Sequence, residues 1–157
     1  MPKLLVFAPC ERVVIDASDG GSSLIEILQG LIIAQVVIPP PGQTLLIPQP
    51  WYAYALFELT PGDDFAARIK LHAPSGREIT SNEFTVANQT KRFYRFSVRN
   101  PGFPLSADGA TGDYILSLHL KNHDAEHFSE IASFPIPLAV DPAPFQSLQV
   151  LQPSGPS

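Results

Sequence analysis

The chain has 157 residues, 45% of them hydrophobic and only 16% charged, with a formal net charge of −5. So few charges exclude a disordered, acidic-tail or coiled-coil protein. The 17 prolines exclude an all-helical bundle, because each removes a backbone donor and clashes one turn back.

The first apolar run, Leu4 to Ala8, is followed by Pro9, Cys10, Glu11 and Arg12. It is shorter than the apolar region of about 7–15 residues that a secretion signal needs, so the protein is read as cytoplasmic. Cys10 is the one cysteine, which leaves no disulfide framework and no cysteine-cluster metal site. Leu4 to Ala17 reads as a strand ending in the turn Ser18-Asp-Gly-Gly21. Ser23 to Ile38 reads as the next strand. Its Ile25, Ile27, Ile32, Ile33, Val36 and Val37 suit a pleated sheet better than a short helix opened by Ser23-x-x-Glu26 and closed by Gly30.

No charge occurs from Ile27 to Phe57, but Pro39, Pro40, Pro41, Pro48 and Pro50 break the stretch. It cannot cross a membrane, which takes about 20 unbroken apolar residues. So much uncharged surface predicts a homo-oligomer, most simply a two-fold dimer, with Leu31, Ile33 and Val37 in the interface. Trp51 to Thr60 adds a strand, closed by the turn Pro61-Gly-Asp63.

Strict alternation then takes over. Phe65, Ala67, Ile69 and Leu71 face one way while Arg68, Lys70 and His72 face the other. Lys91 to Arg99 repeats the pattern with Tyr94, Phe96 and Val98 inward, and Asp113 to Lys121 with Tyr114, Leu116, Leu118 and Leu120. Glu130 to Val140 places Ala132, Phe134, Ile136, Leu138 and Val140 on one face. Pro135 and Pro137 fall on the other, which predicts a sheet edge. The turns Pro74-Ser-Gly76, Asn100-Pro-Gly102 and Asp108 to Gly112 separate these segments. About eight strands and no helix long enough to cover a sheet make residues 1–141 an antiparallel two-sheet sandwich. Residues 142–157 form a proline-rich segment. Its Phe145, Leu148 and Leu151 are costly to leave in water, so they are expected to dock in a groove.

Chemistry is sparse. His119, His123 and His127 are spaced by four and would share a helical face able to bind zinc. They fall on a strand end and the loop after it, where that spacing has no meaning. Asp16, Asp19, Asp63, Asp64, Asp108 and Asp113 sit at turns without a D-x-D-x-D pattern, as turn formers do. Neither Ser22-Ser23 nor Ser75-Gly76 has a nucleophile-elbow context, and no glycine loop precedes a helix to cradle phosphate. A metal, a cofactor and an enzymatic activity are therefore not expected. An enzyme built on the loop carboxylates or histidines stays as one alternative, and a small-ligand or carbohydrate binder using Trp51, Tyr52 and Tyr54 as another.

Seven of the ten basic residues lie between Arg68 and Arg99, against Glu78 and Glu83, so this segment is +5 in a chain of −5. Arg68 and Lys70 share one strand face, and Phe93, Arg95 and Arg99 another. An aromatic among cations is found in single-strand nucleic-acid binders. The acidic remainder of the chain would repel phosphates, so an acidic protein partner is the better expectation.

The opening Cys10-Glu-Arg-Val-Val-Ile-Asp16, followed by Gly21-x-Ser-Leu-Ile-x-Ile-Leu28, resembles the start of a bacterial family known only as a domain of unknown function. Gly112-Asp-Tyr-Ile-Leu-Ser-Leu118 is similar to the penultimate strand of many immunoglobulin-like sandwiches. The resemblance implies an immunoglobulin-like antiparallel β-sandwich and carries over no activity and no site residue. The three prolines at 39–41 and the proline-rich end depart from the family. A non-enzymatic protein-interaction or assembly module, with no nucleic acid and no membrane, is the expected function.

Overall fold

Alternation in the sequence becomes layering in three dimensions. The structure, a computed structural model, describes residues 2–34, 38–87, 90–107 and 112–141. The expectations placed on Val37, Asp108, Phe145, Leu148 and Leu151 lie outside them. The described residues form eleven strands: β1 (Lys3–Ile15), β2 (Ser22–Ile27), β3 (Leu31–Ala34), β4 (Thr44–Ile47), β5 (Trp51–Glu58), β6 (Phe65–His72), β7 (Glu78–Val86), β8 (Phe93–Asn100), β9 (Phe103–Ser106), β10 (Gly112–Asn122) and β11 (Ser129–Asp141). One sheet runs β2-β1-β5-β8, a second β3-β11-β10-β6-β7, and β4 pairs with β9 in a small third. All pairings are antiparallel except β3 with β11. The chain is an all-β sandwich. None of its described helices is long and apolar enough to cross a membrane.

The core lies between the two large sheets. Trp51, Ala53, Ala55 and Phe57 of β5, with Phe96 of β8, meet Phe65, Ala67, Ile69 and Leu71 of β6 and Tyr114, Leu116, Leu118 and Leu120 of β10. Phe57 is the hinge of this packing, with ring centroids 5.4 Å from Phe65 and 5.8 Å from Phe96. Burying each large side chain contributes about 1.5–3 kcal/mol. At one end Trp51 stacks on Phe103 at 5.1 Å and donates its indole N–H to the Gly102 carbonyl. A Cβ on Gly102 would lie 1.9 Å from the Ile47 carbonyl oxygen, so only glycine lets β4 and β9 close over this corner. Tyr114, wholly buried, donates its hydroxyl to the Pro104 carbonyl at 2.6 Å.

Three expectations are corrected. The count of about eight strands is too low, because β4, β7 and β9 carry no clean apolar alternation. The expected single strand from Ser23 to Ile38 is two strands in different sheets: β2 completes a hairpin with β1, whereas β3 crosses over to pair with β11. And β11 is an edge only in part, since β3 flanks it from Leu138 to Asp141. That pairing begins only at Leu138, so Pro135 and Pro137 precede the stretch flanked on both sides, and their missing donors interrupt no β3 ladder.

Candidate functional site

A sandwich has two outer faces, and the basic residues divide between them. On the five-stranded sheet, Arg68 and Lys70 of β6 point outward beside His119 and Lys121 of β10. Arg68 donates Nε and Nη2 to Glu83 of β7 at 3.2 and 2.8 Å, and Lys70 meets Glu78 at 2.7 Å. The Lys70 hydrogen bond holds Glu78 below the usual carboxylate range. His119 Nε2 lies 2.9 Å from the Ser117 hydroxyl and 3.9 Å from Glu130. Burial, outweighing Glu130, pushes the His119 imidazole below its ordinary value. The Arg68 guanidinium also lies 3.9 Å from the Phe128 ring centre. Arg68, Lys70 and Lys121 thus face Glu78, Glu83 and Glu130, and the strip is neutral.

The outer face of the four-stranded sheet is built differently. Tyr52, Tyr54, Leu56 and Glu58 of β5 stand opposite Arg99, Ser97, Arg95 and Phe93 of β8, with Ala8 and Cys10 of β1 on the other side. Such a face should be wet, yet Cys10 is 0% exposed and Tyr54 2%. Both, with Ala8, are buried outside the main core cluster. The β1–β2 hairpin reaches onto this face. Pairing of β1 with β5 ends at Cys10, and the remaining residues of β1 pair with β2 alone. Arg95 Nη1 donates to the Gly20 carbonyl in the hairpin turn and to Ser22 Oγ at 3.2 Å. Since β8 stands two strands, about 10 Å, from β1, these bonds require the turn to lie back across β5.

The turn is self-supporting. Asp16 accepts from the Ser18 amide and hydroxyl, which lower its carboxyl below the usual range, and Asp19 accepts from the Gly21 amide. Gly20 occupies the left-handed region at φ 73°. At the hairpin base Glu11 hydrogen-bonds Glu26, which raises the Glu11 carboxyl, and Glu26 itself adopts φ 54°. The Tyr54 hydroxyl is buried without a partner among the described residues. A buried unpaired hydroxyl costs about 1–3 kcal/mol. Burial also pushes the Cys10 thiol up, so it is an unreactive thiol in this state.

The remaining candidates disperse. His119 and His127 border one depression with Lys121 and Phe128, whereas His123 borders another with Asp64 and Asp124. Among the described residues no three His, Cys, Asp or Glu side chains come together as metal ligands. Asp63 accepts from the Thr60 amide at 2.8 Å, the bond of a turn former. Trp51 and Tyr54 are buried, so Trp51, Tyr52 and Tyr54 form no exposed platform for a sugar. The backbones of Leu31 and Ile33 lie in β3, the terminal strand of its sheet. The sequence hinted at the folded-back hairpin only through the length of its first strand. The Glu11–Glu26 contact joins residues of separate segments and had no local signal. No protein-family model matches the chain, and no curated protein matches it.

Proposed function

We propose that the chain is a non-enzymatic, immunoglobulin-like protein-interaction module that receives an acidic segment of a partner on the outer face of its four-stranded sheet. One observation carries this: Arg95 and Arg99 share one face of β8 on either side of Ser97, with Arg99 opposite Tyr52 and Tyr54 opposite Ser97, and among the described residues neither arginine has a carboxylate partner. Tyr and Arg are the residues that dominate binding hot spots. Phe93, 50% exposed at the end of the same row, extends the apolar part of the face. The immunoglobulin-like assignment is supported by the five-strand order with its parallel terminal strand and by the Tyr114 hydroxyl reaching back to the Pro104 carbonyl, as in a tyrosine corner.

The test is a fluorescent eight-residue peptide of alternating Asp and Ser, titrated at low and moderate salt. Arg99→Glu should weaken binding about tenfold or more, equivalent to about 1.4 kcal/mol. Lys121→Glu, on the opposite face with the same change of charge, should leave it nearly unchanged. Equal losses from both variants would reduce the effect to net charge and sink the assignment of this face.

A further inference from the structure

The outer face of the four-stranded sheet holds two donors whose partners do not match them. Tyr54 of β5 stands opposite Ser97, and Leu56 opposite Arg95, so Tyr54 and Arg95 are diagonal neighbours on one face. Tyr54 is buried, and Arg95, half-buried, is tied to the hairpin turn. The Arg95 guanidinium, a full charge, meets among the described residues only the Gly20 carbonyl and the Ser22 hydroxyl. Among the described residues the Tyr54 hydroxyl meets no acceptor. The hairpin therefore occupies this part of the face without offering either donor an ionised acceptor. A carboxylate suits both donors better than a neutral carbonyl does, because hydrogen bonds to an ionised acceptor are roughly twice as strong.

We propose that the β1–β2 hairpin turn is a displaceable placeholder on this face. A carboxylate of the partner's acidic segment takes the position of the Gly20 carbonyl on Arg95 and gives the Tyr54 hydroxyl its acceptor. This rests on the acidic-partner reading above and adds to it both a specific pair of contacts and a built-in competitor. Displacement uncovers Cys10, which stands between Tyr52 of β5 and Ile27 of β2 at the root of the hairpin and is otherwise buried. The single thiol of the chain thereby reports the state of the hairpin.

The experiment follows labelling of Cys10 in the full chain by an aromatic disulfide reagent under native conditions. Saturating Asp/Ser octapeptide should accelerate labelling about fivefold or more, because local opening controls access to a buried group. Arg95→Gln, which weakens the tether, should accelerate it without peptide while the melting temperature stays within a few degrees. Tyr54→Phe, which keeps the packing, should weaken peptide binding about three- to tenfold, the loss of one charge-assisted hydrogen bond. Peptide binding that depends on Arg99 but leaves Cys10 labelling at its unliganded rate overturns the placeholder and leaves the surface standing. Absence of peptide binding overturns both. If Arg95→Gln does not fold, the peptide-dependent labelling of the wild type and of Tyr54→Phe decides the question alone.

Discussion

The two outer faces of this sandwich are made from strands of similar alternation and solve the problem of outward charge in opposite ways. On the five-stranded sheet each cation of β6 has a carboxylate on the neighbouring strand β7, Arg68 with Glu83 and Lys70 with Glu78. The face is complete in itself, and its ion pairs are solvated. On the four-stranded sheet, β8 is the terminal strand, so no neighbour beyond it supplies carboxylates to Arg95 and Arg99. There the chain's own hairpin supplies neutral oxygens and buries a tyrosine and a cysteine. A basic run in sequence is thus a weak guide to a basic surface. What decides is whether the next strand in the sheet, often distant in the chain, is acidic.

The largest expected effect comes from removing the covered side chain. Tyr54→Ala leaves a void between the hairpin and β5 and should cost about 3 kcal/mol, the lower end for loss of a buried aromatic ring, because this second layer is thin. In a chain of this size that is a fall of about 6–10 °C in melting temperature, read by calorimetry. A loss below about 1 kcal/mol would mean that the hairpin packs no tighter than a solvated loop.

Tyr54→Phe has the opposite sign. It keeps the ring and deletes only the hydroxyl that has no partner. Relief of an unpaired buried group should stabilise the free protein by up to about 1 kcal/mol. A clear destabilisation in the same melting experiment would show that the hydroxyl has a partner after all, and the two faces would then differ less than described.

Much of the architecture was legible because four strands obey a period of two. Phe65–His72 matches the alternation residue for residue, and β8, β10 and β11 begin or end within two residues of it. What escaped did so for physical reasons. The inward positions of β7 include Thr80 and Asn82, so polarity does not alternate along it. β4 and β9 are four residues each and flanked by prolines, too short for any period to register. The long uncharged run through Ser23–Ile38 hid a change of sheet, since a strand leaving one partner for another keeps the same composition. The candidate face was only half legible. Phe93, Arg95 and Arg99 could be placed together by parity, but the turn at Gly20 that Arg95 reaches is 75 residues away. Trp51, Tyr52 and Tyr54 read as a possible exposed platform, because nothing local says that Trp51 and Tyr54 are buried.

A smaller effect tests the other face. Arg68→Ala removes a bidentate contact to Glu83 that lies in solvent and is only partly sheltered. Such pairs contribute about 0.2–1 kcal/mol, and the loss should shrink further at high salt. Stacking of the guanidinium on Phe128 sets the upper part of that range. A loss well beyond it, insensitive to salt, would mean that this face too is a closed layer.

The smallest effect concerns the hairpin base. Glu11 is raised first by its hydrogen bond to Glu26 and then by the negative charge of Glu26, against lowering contributions from Gln49 and Arg12. An acid whose carboxyl is raised on folding holds its proton more tightly in the folded state. Folding stability from this group is therefore present at pH below the ordinary carboxylate value and is lost as pH rises through the raised one. Glu11→Gln is neutral at every pH and escapes that loss. Melting temperatures of the two proteins should nearly coincide at low pH and separate in favour of the variant as pH climbs through the carboxylate range, with a plateau above it. Asp16, Glu58, Asp63 and Glu78 are all lowered and lose stability as pH falls, but they are common to both proteins and cancel in the difference. Relief at the hairpin base should also slow labelling of Cys10 at neutral pH, since a better-seated hairpin opens less often. A difference between the two proteins that stays constant with pH would show that Glu11 and Glu26 share no proton, and the strain at the hairpin base would have to be sought in the left-handed backbone of Glu26 alone.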